Sequence, residues 1–216
     1  IGEKKAEDLS RQISLVYQNP EEMFIKDSIR ADISYAMEVR GVRNWQQRTD
    51  ELLARFRLSD LDGRDGRLLS GGQMRRASLA IGIALNPGVL LLDEPTANLD
   101  IATRREIIDV LQQMRDIINT AVIATHDMQL VCQWAERIIV LRGGQVVADG
   151  SRDEIFSRWK SSRWPARWTT GRCATPSTSS PAAFRKESNR WMGKFPKSFR
   201  KIFWINFRWI FCATRC

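Results

Sequence analysis

Histidine is nearly absent from this sequence of 216 residues, and His126 is the sole one. Cysteine is also sparse: Cys132 stands in the body, and Cys173, Cys212 and Cys216 stand near the end. Their spacing matches no CxxC pair or zinc pattern, so a reducing, cytosolic setting is the default expectation. No run of eighteen apolar residues occurs, which excludes a membrane-spanning helix. The chain starts at Ile1 with no charged-then-apolar leader behind it. It therefore reads as lacking a secretory signal and as a sequence that begins mid-gene.

What is present divides into two unlike parts. The net charge is +9, yet Ser157 to Cys216 holds fourteen Lys/Arg against one acid, Glu187. The remainder holds twenty basic and twenty-four acidic residues and is mildly negative. From Ser157 onward there is no Leu, Val, Asp, Gln, Tyr or His, while six of the eight Trp lie there. Such asymmetry calls for separate explanations of the two parts.

Residues 1–156 alternate strand and helix patterns. Ile13–Tyr17 is a short apolar run closed by Asn19-Pro20, as for a strand meeting a loop. Ile29, Ile33 and Met37 recur at helical spacing, as do Leu52, Leu53 and Phe56, and they predict a small helical insert over 27–69. A helix-compatible stretch follows Ser70-Gly71-Gly72 and ends at Asn86-Pro87-Gly88. Val89–Leu92 is an uninterrupted apolar run reaching Asp93, the pattern of a parallel strand buried on both faces. Ile107, Leu111, Met114 and Ile118 mark one face of a helix. Thr120–Thr125 reads as another buried strand, and Ile138–Leu141 with Gln145–Ala148 as a hairpin around Gly143-Gly144. The sum is an α/β domain with a mainly parallel sheet.

Four motifs sit on these elements. Ser70-Gly71-Gly72-Gln73 opens a helix, where glycines let backbone N–H groups approach an anion and the helix N-terminus favours negative charge. Taken alone, a serine N-cap beside a glycine turn explains it as well. Asp93 ends a buried strand, where a carboxylate is costly unless it meets a cation or donors, and Glu94 follows at once. A solvated acidic turn is the plainer alternative. His126 follows the apolar strand 120–125; a lone histidine is more often structural than catalytic. Gln18 ends the first strand, where a polar residue needs no special reason. Asp100 could serve simply as the N-cap of the helix behind it.

As an ordered set, Tyr17-Gln18-Asn19-Pro20-Glu21-Glu22, Leu69-Ser70-Gly71-Gly72-Gln73-Met74-Arg75-Arg76, Leu92-Asp93-Glu94-Pro95-Thr96-Ala97-Asn98-Leu99-Asp100, and Thr125-His126-Asp127 resemble motifs of the ATP-binding-cassette (ABC) ATPases. They match the Q-loop, signature, Walker B with D-loop, and H-loop, and the resemblance covers most of residues 13–156. Gln18–Phe24 is most similar to ATPases of energy-coupling-factor importers.

That resemblance implies a partial P-loop NTPase fold with a helical subdomain, and ATP with Mg²⁺ as ligands. It implies that Asp93 and Gln18 meet the metal or its water. Glu94 would polarise the attacking water, and His126 would contact the γ-phosphate. Ser70, Gly71, Gly72, Gln73 and Asp100 would face nucleotide across a dimer with a second ABC ATPase subunit. An integral membrane subunit would dock near Met23–Arg30, at the cytoplasmic face of the membrane, with no nucleic acid expected. The function implied is an ATP-hydrolysing subunit powering an importer, for a vitamin or metal ion. A non-transport ABC ATPase working on DNA or ribosomes, or an inactive gene fragment, are the alternatives.

The phosphate-cradling pattern GxxxxGK[ST] does not occur. Gly193-Lys194, the sole Gly-Lys pair, runs on to Phe195. The chain alone is therefore expected not to hydrolyse ATP. Residues 157–216 are expected to lie outside the fold as an irregular tail. They read as out-of-frame sequence, as a membrane-surface segment through the aromatic and basic residues of Phe199–Cys212, or as a nucleic-acid-binding segment.

Overall fold

The first strand is short, stopping at Val16, and Pro20 opens the 3-10 turn behind it. The computed structural model describes residues 6–142, 144–161 and 207–214. A helix, α1 (Ala6–Gln12), leads into strand β1 (Ile13–Val16), and a 3-10 turn over Pro20–Met23 follows. Helix α2 (Ile29–Val39) begins where Ser28 Oγ accepts the Ala31 N–H at 3.2 Å. Asp32 on α2 pins the preceding loop, its carboxylate accepting the N–H groups of Ile25 and Lys26 at 2.8 and 2.9 Å. Helix α3 (Trp45–Arg55) completes this region. Ile33, Met37, Leu53 and Phe56 are all buried in the core, on the helical spacing seen in the sequence.

Then come α4 (Gly71–Ile83), β2 (Val89–Asp93), α5 (Ile101–Gln113), β3 (Thr120–Thr125) and α6 (Met128–Trp134). The chain continues through β4 (Arg137–Arg142), β5 (Gln145–Ser151) and α7 (Arg152–Ser161). A last strand, β6, spans Phe207–Thr214. The sheet order is β1-β2-β3-β6-β4-β5. Strands β1, β2 and β3 pair in parallel, with Leu15 beside Leu91 and Leu91 beside Val122. Beyond β3 the neighbours run antiparallel, and β4 and β5 form the hairpin with Gly144 at φ 78°. Such a positive φ suits a residue without a Cβ.

Two expectations change on the structure. The tail was expected outside the fold, but residues 207–214 lie within the sheet, antiparallel to both β3 and β4. The segment 207–214 is rich in aromatic and β-branched residues, which suit a pleated strand. Of the other tail residues, 157–161 belong to α7, and 162–206 and 215–216 lie outside the described residues.

Burial of Val89–Leu92 on both faces was also expected. Instead the strand alternates, with Leu90 and Leu92 buried and Val89 and Leu91 half-buried. Because strand side chains alternate faces and the register aligns them, Ile13, Leu15, Leu91 and Val122 share the more open face. Helix α4 covers the other. A Cβ on Gly82 would lie 2.5 Å from Val16 Cγ2, so only glycine lets α4 come this close. Among the described residues, no helix is long and apolar enough to cross a membrane.

Candidate functional site

The motifs converge at the ends of the parallel strands. Gln18 follows β1, Asp93 ends β2, and both line a cleft of about 490 Å³ together with Gly71 and Arg75. Ligands gather outside the carboxyl ends of strands in open α/β sheets, and this cleft has that position. Glu94 and His126, from the neighbouring strand ends of β2 and β3, meet directly beside it.

Glu94 is buried and sits at φ 46°, a left-handed conformation costly for a residue with a Cβ. The turn is held because the Glu94 N–H donates to Ala124 O at 2.8 Å. Its carboxylate then accepts Thr125 Oγ1–H at 3.0 Å and the His126 N–H at 3.4 Å, and lies 2.7 Å from His126 Nδ1. Burial alone would push the Glu94 carboxyl up. The hydrogen bonds and charge of His126, with Thr125, outweigh it and hold the group below its usual range. The same bond from Glu94 raises the imidazole of His126 against the opposing effect of burial. A carboxylate paired to an imidazole can hold and hand over a proton at a fixed atom, Nδ1.

A second tie joins the same two loops. Thr96 Oγ1 donates to Asp127 Oδ2 at 2.8 Å, and Asp127 caps α6 by accepting the N–H groups of Gln129 and Leu130. Helix α4 starts with a capping box: Ser70 Oγ accepts the Gln73 N–H at 3.4 Å, and Gln73 Oε1 accepts the Ser70 N–H at 3.1 Å. Gly72 packs against the Thr103 methyl. Asp100 caps α5 through the N–H groups of Ala102 and Thr103 at 2.9 and 3.1 Å; the Thr103 hydroxyl, which donates to the same carboxylate, and then these N–H groups lower its carboxyl. Ser70 and Asp100 thus both fill the capping roles that the sequence also allowed. Of the signature residues, Gly71, Met74 and Arg75 line the cleft.

Arg75, Thr96, Thr125 and Asp127 fall inside the motifs, but sequence reasoning gave none of them a role of its own. Arg75 carried a signal: it falls on the same helical stripe as Ser78, Leu79 and Gly82, all buried, so a charge there required a buried partner. Its guanidinium donates to Tyr17 O at 2.9 Å and Gln18 O at 2.6 Å, and burial pushes its pKa down to about 10.

Residues 1–97 match the ABC transporter family. The chain is 34% identical over 160 residues to the energy-coupling factor transporter ATP-binding protein EcfA1 of Enterococcus faecalis, covering 73% of this chain and 57% of that protein. It is 35% identical to the cobalt import ATP-binding protein CbiO of Rhodobacter capsulatus, over 71% of this chain and 56% of the other. Among solved structures, CbiO1 of Clostridium perfringens, part of the ABC transporter complex cbiONQ, aligns with a TM-score of 0.63 at 30% identity. That alignment covers 70% of this chain and 61% of the other. The domain has the fold of an ABC-type cassette.

It resembles the ABC ATPases of the energy-coupling-factor group. The chain spans a little over half the length of these curated ABC relatives. A dimeric ABC cassette in a post-hydrolysis state with ADP and phosphate also shares the fold, with a TM-score of 0.58 at 25% identity.

Proposed function

We propose that this chain belongs to an ATP-hydrolysing subunit that powers a membrane importer, for a vitamin or a metal ion, at the cytoplasmic face of the membrane. It would pair with a second ABC ATPase subunit and dock on an integral membrane subunit. The observation that carries this reading is the shared cleft of Gln18, Asp93 and Gly71, beside the Glu94–His126 pair. One carboxylate and one carboxamide are a sparse ligand set. They fit Mg²⁺, which keeps several waters and takes few protein ligands. Asp93 and Gln18 would hold it, and it would supply charge neutralisation for the triphosphate. Glu94, steadied by Thr125 and His126, would orient and polarise water. Backbone N–H groups at the start of α4 would favour a phosphate from the partner subunit's nucleotide.

The names of the energy-coupling-factor and cobalt-import relatives support an importer. Affinity purification of the chain from its native membranes is the test. Recovery of an integral membrane protein is expected, and recovery of ribosomes or DNA instead would overturn the reading. Alone, the chain is expected to release no phosphate from Mg²⁺·ATP, and measurable turnover would contradict the reliance on a second subunit.

A further inference from the structure

Arg75 is 2% exposed and lies one turn into α4. It reaches the main chain of a segment fifty-seven and fifty-eight residues away, with Nη1 2.9 Å from Tyr17 O and Nη2 2.6 Å from Gln18 O. These carbonyls belong to successive peptide groups, so the planar fork of one arginine spans both. A lysine ammonium is a point charge on a flexible stem and lacks this geometry. Charge-assisted hydrogen bonds of this kind are about twice as strong as neutral ones. The segment they hold has Tyr17, Gln18 and Asn19 all exposed, and it lines the same cleft as Gly71.

We infer that Arg75 is a positioning residue that locks the Gln18 segment to helix α4, so that the α4 start at Gly71 and Gln18 hold one fixed spacing in the cleft. Burying a guanidinium in an apolar helix stripe is costly. An apolar side chain would fill the volume without that cost. The two carbonyls are what a charge gains there. Any displacement of α4 is passed to Gln18 through these bonds and not through side-chain packing alone. The tie itself is independent of ligand. Its bearing on nucleotide rests on the function proposed above.

The test is amide hydrogen exchange on the full chain without nucleotide, comparing wild type with Arg75→Lys and Arg75→Met. Exchange over residues 17–24 is expected to quicken about tenfold or more in both variants, the scale of one lost charge-assisted bond. Exchange over 89–93 and 101–113 is expected to stay within about twofold. In Arg75→Lys the thermal midpoint should stay near wild type while 17–24 remains fast. A merely structural cation would instead be rescued on both counts. Wild-type protection of 17–24 in Arg75→Lys, or in a folded Arg75→Met, overturns the proposal. If Arg75→Met does not fold, Arg75→Lys decides alone. Equilibrium dialysis of Mg²⁺·ATP against the wild-type chain with its partner subunit separates the two readings. Absence of binding there counts against the proposed function and leaves the exchange result to judge the tie.

Discussion

Glu94 Oε1 and His126 Nδ1 lie 2.7 Å apart, joining the ends of two adjacent parallel strands. The pair is partly shielded, with side chains 9% and 34% exposed. Each partner shifts the other toward its charged form: the Glu94 carboxyl below 4.5 and the His126 imidazole above 6.5.

The sign of the pH dependence follows. A group with a raised folded pKa stabilises fully below its unfolded pKa and ceases to do so as pH rises through the folded value. A group with a lowered pKa stabilises above its unfolded value and is lost as pH falls through the folded one. The pair therefore contributes most between about pH 4.5 and 6.5 and fades on either side. Glu94→Gln should flatten this plateau and cost about 1 kcal/mol within it, given the screening of the exposed imidazole edge. Since the chain has a single histidine, proton NMR reads it directly. The His126 titration should move down in Glu94→Gln, and an unmoved midpoint would contradict the pairing.

The two faces of β2 differ, and substitutions should reveal it. Leu90 is fully buried under α4, whereas Leu91, on the opposite face, is half-buried. Leu90→Ala should cost about 2–5 kcal/mol by urea unfolding, the range for a buried leucine with a residual cavity. Leu91→Ala should cost less than about 2 kcal/mol, because it removes less buried area. Equal losses would mean that the sheet is covered alike on both faces.

This asymmetry marks where sequence reading stops. The apolar run Val89–Leu92 reported a strand correctly, because no polar residue interrupts it. It could not report which face the helices cover, since that depends on elements far away in the chain. The motifs fared similarly. Asp93, Gln18 and Gly71 were legible as an ordered set and share one cleft. The hydrogen bonds that fix Glu94 come from Thr125 and His126, thirty-one and thirty-two residues on. No local pattern announces such a contact. Arg75 was legible in principle, by its place on a buried stripe, but its partners fifty-seven and fifty-eight residues away were not.

Ser70 offers a separate check on helix initiation. Its hydroxyl and the Gln73 side chain satisfy two N–H groups that would otherwise lack partners at the start of α4. Ser70→Ala should lower stability by about 1 kcal/mol with no nucleotide present, and Ser70→Gly by only a few tenths. Chemical denaturation measures both. No loss in Ser70→Ala would mean that the capping box does not form in solution, which would leave the hydroxyl free for a phosphate.

Strand β6 decides whether the basic end of the chain belongs to the domain. Its residues pair on both sides: Ile210 lies opposite Ala124 in β3 and Ile139 in β4. An internal strand cannot accept proline without losing a ladder hydrogen bond, and proline is confined to edges and bulges for that reason. Ile210→Pro should therefore destabilise the whole domain cooperatively, lowering the urea midpoint without splitting the transition. A chain ending at Ser161 should behave alike, because the facing edges of β3 and β4 would lose their partner and expose unpaired N–H and C=O groups. Were the end an appendage, both changes would leave the unfolding of residues 6–161 untouched. The midpoint of Ile210→Pro against wild type therefore separates a strand of the sheet from a passenger sequence.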